Sequence, residues 1–325
     1  MIWGKYWVGQ LRGWMDPDGR CISFIMTLFA QNMGSKDTSD YRATQDTIIG
    51  PSLECRRKDG CPFISQPGDL ATKSLREDRT KKYWDEKWNY GERPERCVLN
   101  GSDGEEEFDR ELDQRIVGKK VLDEGCGPGD FTLTIAKNAS HVTGVDNSTV
   151  ALEQARRRLA TSKVTNAEFL VADVNRLPFR NSFFDIVYSR RGPGSDSSRS
   201  LTEIYRVLRK RGMFMEITIG ERDKQNIARI FGRGQMLHVK GQVSDIKERM
   251  LEEAGFRDIV ARDYLGTEVF MGMRDLLVRF QSAPIIPGFN TRKDWKFLQR
   301  VRKECATDRG IETPVHRVVL IGRKI

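Results

Sequence analysis

Histidine is scarce, at three residues in 325. Cysteine stands at Cys21, Cys55, Cys61, Cys97, Cys126 and Cys305, and no two of these form a C-x-x-C pair. A structural zinc site draws four converging ligands, usually delivered as two close pairs. The sequence therefore offers no metal cluster, and the expectation is of free, reduced thiols in a cytoplasmic protein. Long apolar runs are also missing. The longest, 22–30, falls well short of the roughly 20 residues that span a bilayer. It lies behind Asp16 and Asp18, with no small-x-small site after it, so it does not read as the core of a secretion signal. There is no internal repeat and no low-complexity tract.

Charge is plentiful. Charged residues make up 31% of the chain and hydrophobic residues 38%, a balance that suits a soluble globular protein with a core of useful size. The net charge of +9 attracts anions, whether nucleic acid, lipid or metabolite. The basic residues are dispersed, however, through 156–158, 190–191, 209–211 and the last third, which describes a solvated face better than a nucleic-acid arm. Residues 1–77 carry no lasting period and read as a poorly ordered or loosely attached extension.

From residue 78 the pattern becomes regular. A helix at 78–89 bears Tyr83, Trp84 and Trp88, and Gly91 and Pro94 end it. A second, acidic helix occupies 105–116. Strands at 120–123, 141–145, 167–171, 184–188 and 212–218 then alternate with helices at 129–138, 149–161 and 200–209. That rhythm predicts an α/β fold, with a parallel sheet covered by helices on both faces. A helix at 243–254, a strand at 259–263, helices at 274–281 and 295–305 and a β-branched strand at 316–322 complete the chain.

The informative segment is Val121-Leu122-Asp123-Glu124-Gly125-Cys126-Gly127-Pro128-Gly129-Asp130. A strand runs into three glycines at alternate positions, and a helix follows. Such a turn brings backbone close to a ligand at a helix N-terminus. A dinucleotide site asks for G-x-G-x-x-G, and the third glycine is here Asp130, whose charge opposes a pyrophosphate. The D-x-G-x-G-x-G pattern resembles the first motif of class I S-adenosylmethionine-dependent methyltransferases. The resemblance continues in Gly144-Val145-Asp146, Val171-Ala172-Asp173-Val174, Phe183-Phe184-Asp185-Ile186-Val187 and Tyr205-Arg206-Val207-Leu208, and spans about 78–325. It implies a Rossmann-like, doubly wound, mostly parallel seven-stranded sheet with an antiparallel last strand. It also implies S-adenosyl-L-methionine as cofactor, held by Asp123, Gly125, Cys126, Gly127, Gly129, Asp146, Asn147, Asp173, Val174 and Ser189. Asp146 would take the ribose hydroxyls, and Asp173 with the Val174 N–H the adenine. Lys210 and Arg211 stand where the family usually has Pro and Gly, which should loosen the turn into the fifth strand.

The acceptor is less legible. After the fourth strand stands Ser189-Arg190-Arg191-Gly192-Pro193-Gly194, without the [DNS]-P-P-[YFW] of enzymes acting on planar amino groups and without a Pro-Cys nucleophile pair. Arg190 and Arg191 there, with Arg222 and Arg233 after the fifth strand, suggest an acceptor bearing a carboxylate or phosphate, bound by Arg190. His238 and Glu221 are weaker candidates for acid–base work. The expected partner is a small molecule. RNA is the second acceptor class, on charge alone, and a non-catalytic S-adenosyl-binding protein is the third reading.

Overall fold

The computed structural model describes residues 8–15, 21–29, 81–89 and 97–325. The chain divides into two compact units, Met1–Ile64 and Ser65–Ile325. In the first, the backbone pairs β1 (Val8–Met15) with β2 (Cys21–Phe29) as an antiparallel ladder, where the sequence pattern shows no lasting strand period. The rest of the expected extension lies outside the described residues.

The second unit is built on one sheet. Its strands are β3 (Cys97–Leu99), β4 (Lys120–Glu124), β5 (His141–Asp146), β6 (Ala167–Val171), β7 (Phe184–Arg190), β8 (Leu208–Ile219), β9 (Phe256–Phe270), β10 (Ala306–Thr307) and β11 (Gly310–Lys324). Their order is β3-β9-β11-β8-β7-β4-β5-β6, with β10 on β11. The ladders β6-β5-β4-β7-β8 are parallel, and β11 runs antiparallel between β8 and β9. The expected seven strands form the middle of this sheet. The short β3 and β10 bring it to nine.

Each central strand is buried on both faces because helices cover both. Val121 of β4 packs with Phe108, Leu112 and Ile135 on one side. Its neighbour Leu122 packs with Val187, Leu201 and Phe214 on the other. The helices are α1 (Lys81–Trp88), α2 (Glu105–Arg115), α3 (Asp130–Ile135), α4 (Thr149–Thr161), α5 (Ser198–Val207), α6 (Gln225–Phe231), α7 (Val243–Glu253), α8 (Met273–Ser282) and α9 (Trp295–Glu304). Among the described residues, no helix is long and apolar enough to cross a membrane.

Two expectations change. The strand read at 259–263 extends over the fifteen residues of β9, which pairs along the equally long β11. Many β9 side chains are polar and exposed, so its alternation is weak, and tertiary pairing decides its length. Lys210-Arg211 do not precede the strand: β8 begins at Leu208, and 209–212 bulge out of its ladder with β7, with Arg211 in the left-handed conformation at φ 65°.

The chain leaves β4 towards β5 and β6 on one side and returns to β7 and β8 on the other. The carboxyl ends of β4 and β7 therefore flank the switch point, where ligands of open α/β sheets bind.

Candidate functional site

At that switch point β4 ends in the 125–129 turn. Gly125 and Gly127 have φ of 75° and 53°, values that strain any side chain. They also lack room. A Cβ on Gly125 would lie 2.8 Å from Pro193 Cδ, and one on Gly127 2.8 Å from the Trp88 ring. The N–H groups of Gly125 and Cys126 both bond Val145 O, which fastens the turn to β5. Gly129 ends the turn as the N-cap of α3.

Asp146 closes β5 and faces this turn. One carboxylate oxygen accepts the Gly127 N–H at 2.9 Å, the other the Ser148 N–H at 2.8 Å. Each oxygen keeps a lone pair for a further donor, such as a ribose hydroxyl. Burial pushes the Asp146 carboxyl up, against these backbone bonds. Asn147 lies half-buried beside it. Asp123 is buried and accepts the Thr132 hydroxyl at 2.5 Å, so it also orders the start of α3. Burial pushes its carboxyl up to about 6.

Cys126 turns its Sγ towards Gly144, so only its backbone lies along the turn. Asp173, just past β6, is exposed and holds an Asx turn by accepting the Asn175 N–H at 2.9 Å, with Val174 half-buried next to it. Ser189 is buried on β7, and its hydroxyl donates to Glu124 O at 3.2 Å. The turn, Asp146 and Ser189 thus converge on the ends of β4, β5 and β7, while Asp173 stands at the outer strand.

Sequence reasoning gave α1 no role at this place. Trp88 packs on Gly127, and Asp85 accepts the Ser148 hydroxyl at 2.6 Å, one bond away from Asp146. Lys87 reaches the other way and donates to Gln281 O, at the end of α8. Three aromatics within six residues were the available signal.

The four arginines do not form an anion receptor. Arg190 forks onto Asp109 at 2.8 and 2.9 Å, reaches Glu105 at 3.0 Å and stacks over Phe131. Its donors are turned to α2 because β7 delivers it against the acidic first turns of that helix. Arg191 lies 3.5 Å from the same Glu105. Arg222 lies 3.6 Å from Glu221, and Arg233 pairs with the buried Asp294 at 2.8 Å. Protein carboxylates answer all four, which corrects the expectation that Arg190 is turned towards the acceptor.

His238 is exposed. The histidine that meets Glu221 is His316, buried on β11, whose Nδ1 lies 3.7 Å from Glu221 and accepts the Arg222 N–H at 3.2 Å. Its Nε2 meets Asp263 at 2.8 Å. The two carboxylates face different ring nitrogens, and only Asp263 lies within hydrogen-bond distance of the ring. Glu221 also accepts the Val243 N–H at the start of α7, a structural duty.

The residues fit S-adenosylmethionine better than a dinucleotide. Two buried acids beside the turn favour a cationic ligand, and Asp130 opens α3 with a carboxylate where a pyrophosphate would have to sit. Comparison with known proteins agrees. Residues 121–212 match the family described as "Methyltransferase domain". The malonyl-[acyl-carrier protein] O-methyltransferase of Erwinia billingiae is 38% identical over 107 residues, which are 32% of this chain and 41% of that protein. The demethylmenaquinone methyltransferase of Thermotoga maritima is 37% identical over 106 residues, 31% of this chain and 44% of that protein. The chain thus spans less than half the length of these curated relatives. The solved structure of the YcgJ protein of Bacillus subtilis superposes with a TM-score of 0.53 at 16% identity, over 67% of this chain and 98% of that one. That likeness shows the fold. The motif turn, the strand order and the family match together identify residues 121–212 as a methyltransferase domain on the Rossmann-like fold of class I methyltransferases.

Proposed function

We propose that this protein transfers the methyl group of S-adenosylmethionine to a small-molecule acceptor. The observation that carries the reading is Asp146 at the end of β5, hydrogen-bonded to Gly127 of a turn too tight for side chains. The turn would hold the amino-acid part of the cofactor, Asp146 the ribose, and Asp173 with the Val174 N–H the adenine. When bound, the cofactor supplies an electrophilic methyl group on a sulfonium. The protein's share is to orient the two reactants and to exclude water, which lowers the barrier without a general base. Asp123 and Asp146 supply negative potential for the cation. Trp88 and the segment 192–193 wall the turn from two sides. The names of the relatives, which concern malonyl-[acyl-carrier protein] and demethylmenaquinone, support a metabolite acceptor over RNA.

Two measurements test this reading. Calorimetry with S-adenosylhomocysteine should show binding, and absence of binding by the folded protein overturns the reading. Label from a methyl-labelled donor, added with protein to a cell extract, should enter the small-molecule fraction. Label in RNA moves the acceptor to the second class, and binding without transfer leaves a non-catalytic cofactor-binding protein.

A further inference from the structure

Beside the cofactor turn lies a pair of carboxylates that methyl transfer does not require. Glu124 is the last residue of β4, and Glu216 lies on β8; both are completely buried. Between them β7 runs out into the segment 191–197. This segment sits directly on the two acids. Gly194 donates its N–H to Glu124 Oε2 at 2.7 Å. Ser195 donates its N–H and its hydroxyl to Glu216. A Cβ on Gly194 would lie 2.5 Å from Glu216 Oε1, so the backbone presses onto the second carboxylate while it bonds the first. The same segment reaches the donor side, since Gly192 and Pro193 back onto Gly125. It is therefore the wall between the cofactor turn and the place where an acceptor meets the end of β7.

The two acids differ in their compensation. Lys247 of α7 faces Glu216 at 3.8 Å and also pairs with Asp196 at 3.1 Å. Among the described residues, no cation pairs with Glu124. The charged groups around it are Glu216 and Asp196, and Ser189 is its polar neighbour on β7. Its Oε1 is buried without a hydrogen bond among the described residues. An ionised carboxylate in that position would carry an unsatisfied, desolvated charge next to a second carboxylate, which is strongly unfavourable. A neutral acid removes the charge and keeps a carbonyl oxygen for the Gly194 N–H.

We propose that Glu124 is a positioning residue that holds the 191–197 wall as a neutral carboxylic acid, so that one buried proton keeps the wall closed against the cofactor turn. The effect on the acceptor rests on the methyltransferase reading, whereas the closure itself is a property of the free protein. The environment agrees with it. Burial first, and the nearby Glu216 charge second, push the Glu124 carboxyl up to about 8.

The sign follows from linkage. In the closed wall Glu124 keeps its proton up to about 8, and in an opened wall it reverts to an ordinary carboxyl. Between those values opening releases a proton, so the opening equilibrium rises by about tenfold per pH unit and levels off above the higher value. The test is amide hydrogen exchange of Gly194 and Ser195 in the ligand-free full chain, read as protection factors so that intrinsic base catalysis cancels. Between pH 6 and 7.5 the wild-type factors should fall by about tenfold or more. In Glu124→Gln the side-chain carbonyl still accepts from Gly194 and position 124 no longer ionises, so only the Glu216 contacts respond to pH and the fall in protection should be clearly smaller than in the wild type. Glu124→Ala should lose protection at every pH. Protection of Gly194 and Ser195 in the wild type that does not change between pH 6 and 8 overturns the proposal, even if neither variant folds. The same slope in Glu124→Gln as in the wild type overturns it as well. Exchange needs no cofactor, so its failure is distinct from a failure to bind S-adenosylhomocysteine.

Discussion

At the scale of single residues, Gly127 and Asp146 decide the cofactor reading, and Arg190 has changed its role. Gly127→Val places a branched side chain at positive φ and against Trp88, which distorts the turn proposed to hold the cofactor. The expected outcome is no measurable S-adenosylhomocysteine affinity by calorimetry, with a helical circular-dichroism spectrum to show that the protein is folded. Asp146→Ala removes the acceptor of the Gly127 N–H and the proposed acceptors of two ribose hydroxyls, at about 1.5–3 kcal/mol per charge-assisted bond. Affinity should drop by tenfold or more, since about 1.4 kcal/mol is one decade. Affinity within twofold of wild type would count against the ribose role. Arg190→Ala should now act on stability. It leaves Asp109 without its cation, leaves Glu105 with Arg191 alone and strips the stack on Phe131. The bridge is partly exposed and solvent screens it, so the expected loss is about 1–2 kcal/mol in urea unfolding, with cofactor affinity unchanged. A stable variant with weakened acceptor binding would restore the substrate role.

At the scale of elements, the parts that carry the chemistry are also the parts most legible in the sequence. Strands β4, β5 and β6 with helix α4 are local: strands of five or six residues with short apolar stretches, a serine N-cap at Ser148 that accepts the Ala151 N–H, and a glycine turn. The pairing of β9 with β11 is not local. It joins residues about fifty apart, and no periodicity within β9 announces it. The partners of charged side chains are illegible for the same reason. Arg190 reads as a loop arginine beside a cofactor, and its partner Asp109 stands 81 residues earlier. His316 lies 53 residues from Asp263, whereas His238, nearer in sequence, points to no role. Helix α1 is an intermediate case, plain as an aromatic helix and silent about where it docks. Its docking yields a prediction. A chain begun at Thr72 keeps α1 and should bind S-adenosylhomocysteine like the full protein. A chain begun at Glu92 loses Trp88 and Asp85, and with them one wall of the turn and the tie to Ser148. Its affinity should fall by about tenfold or more, the worth of a charge-assisted bond and an aromatic contact. Equal affinity of both truncated chains would show that α1 merely rests on the site.

At the scale of the whole molecule, buried charge sets how stability responds to pH. Strands β9 and β11, helix α8 and the residues just before α6 hold a network of five buried ionic groups. Lys224 lies 2.6 Å from Glu268 and 3.2 Å from Asp223; Arg317 lies 2.7 Å from Asp223, and Arg279 3.4 Å from Glu268. Burial alone would push the Asp223 carboxyl up, but Arg317 and Lys224 outweigh it and hold the group below its ordinary value. Its contribution is therefore present above pH 4 and lost as pH falls through the lowered value. The acids at the cofactor end work the other way. Asp123 rises from 3.8 to about 6 and Glu124 from 4.5 to about 8, chiefly through burial. The folded state binds their protons more tightly than the unfolded chain does. Their contributions are complete near pH 4 and lost as pH climbs, Asp123's by about 6 and Glu124's by about 8. A tenfold difference in proton affinity between the folded and unfolded chain is worth about 1.4 kcal/mol, so the decline from pH 5 to 8 should amount to several kcal/mol. The urea midpoint should accordingly peak at about pH 5, on the acid side of neutrality, fall on both sides, and fall less steeply towards pH 8 in Glu124→Gln. A midpoint that climbs from pH 5 to pH 8 would mean that the acids at the end of β4 ionise at no cost. Saturating S-adenosylhomocysteine should lift the whole curve at fixed pH, because it binds the folded state alone.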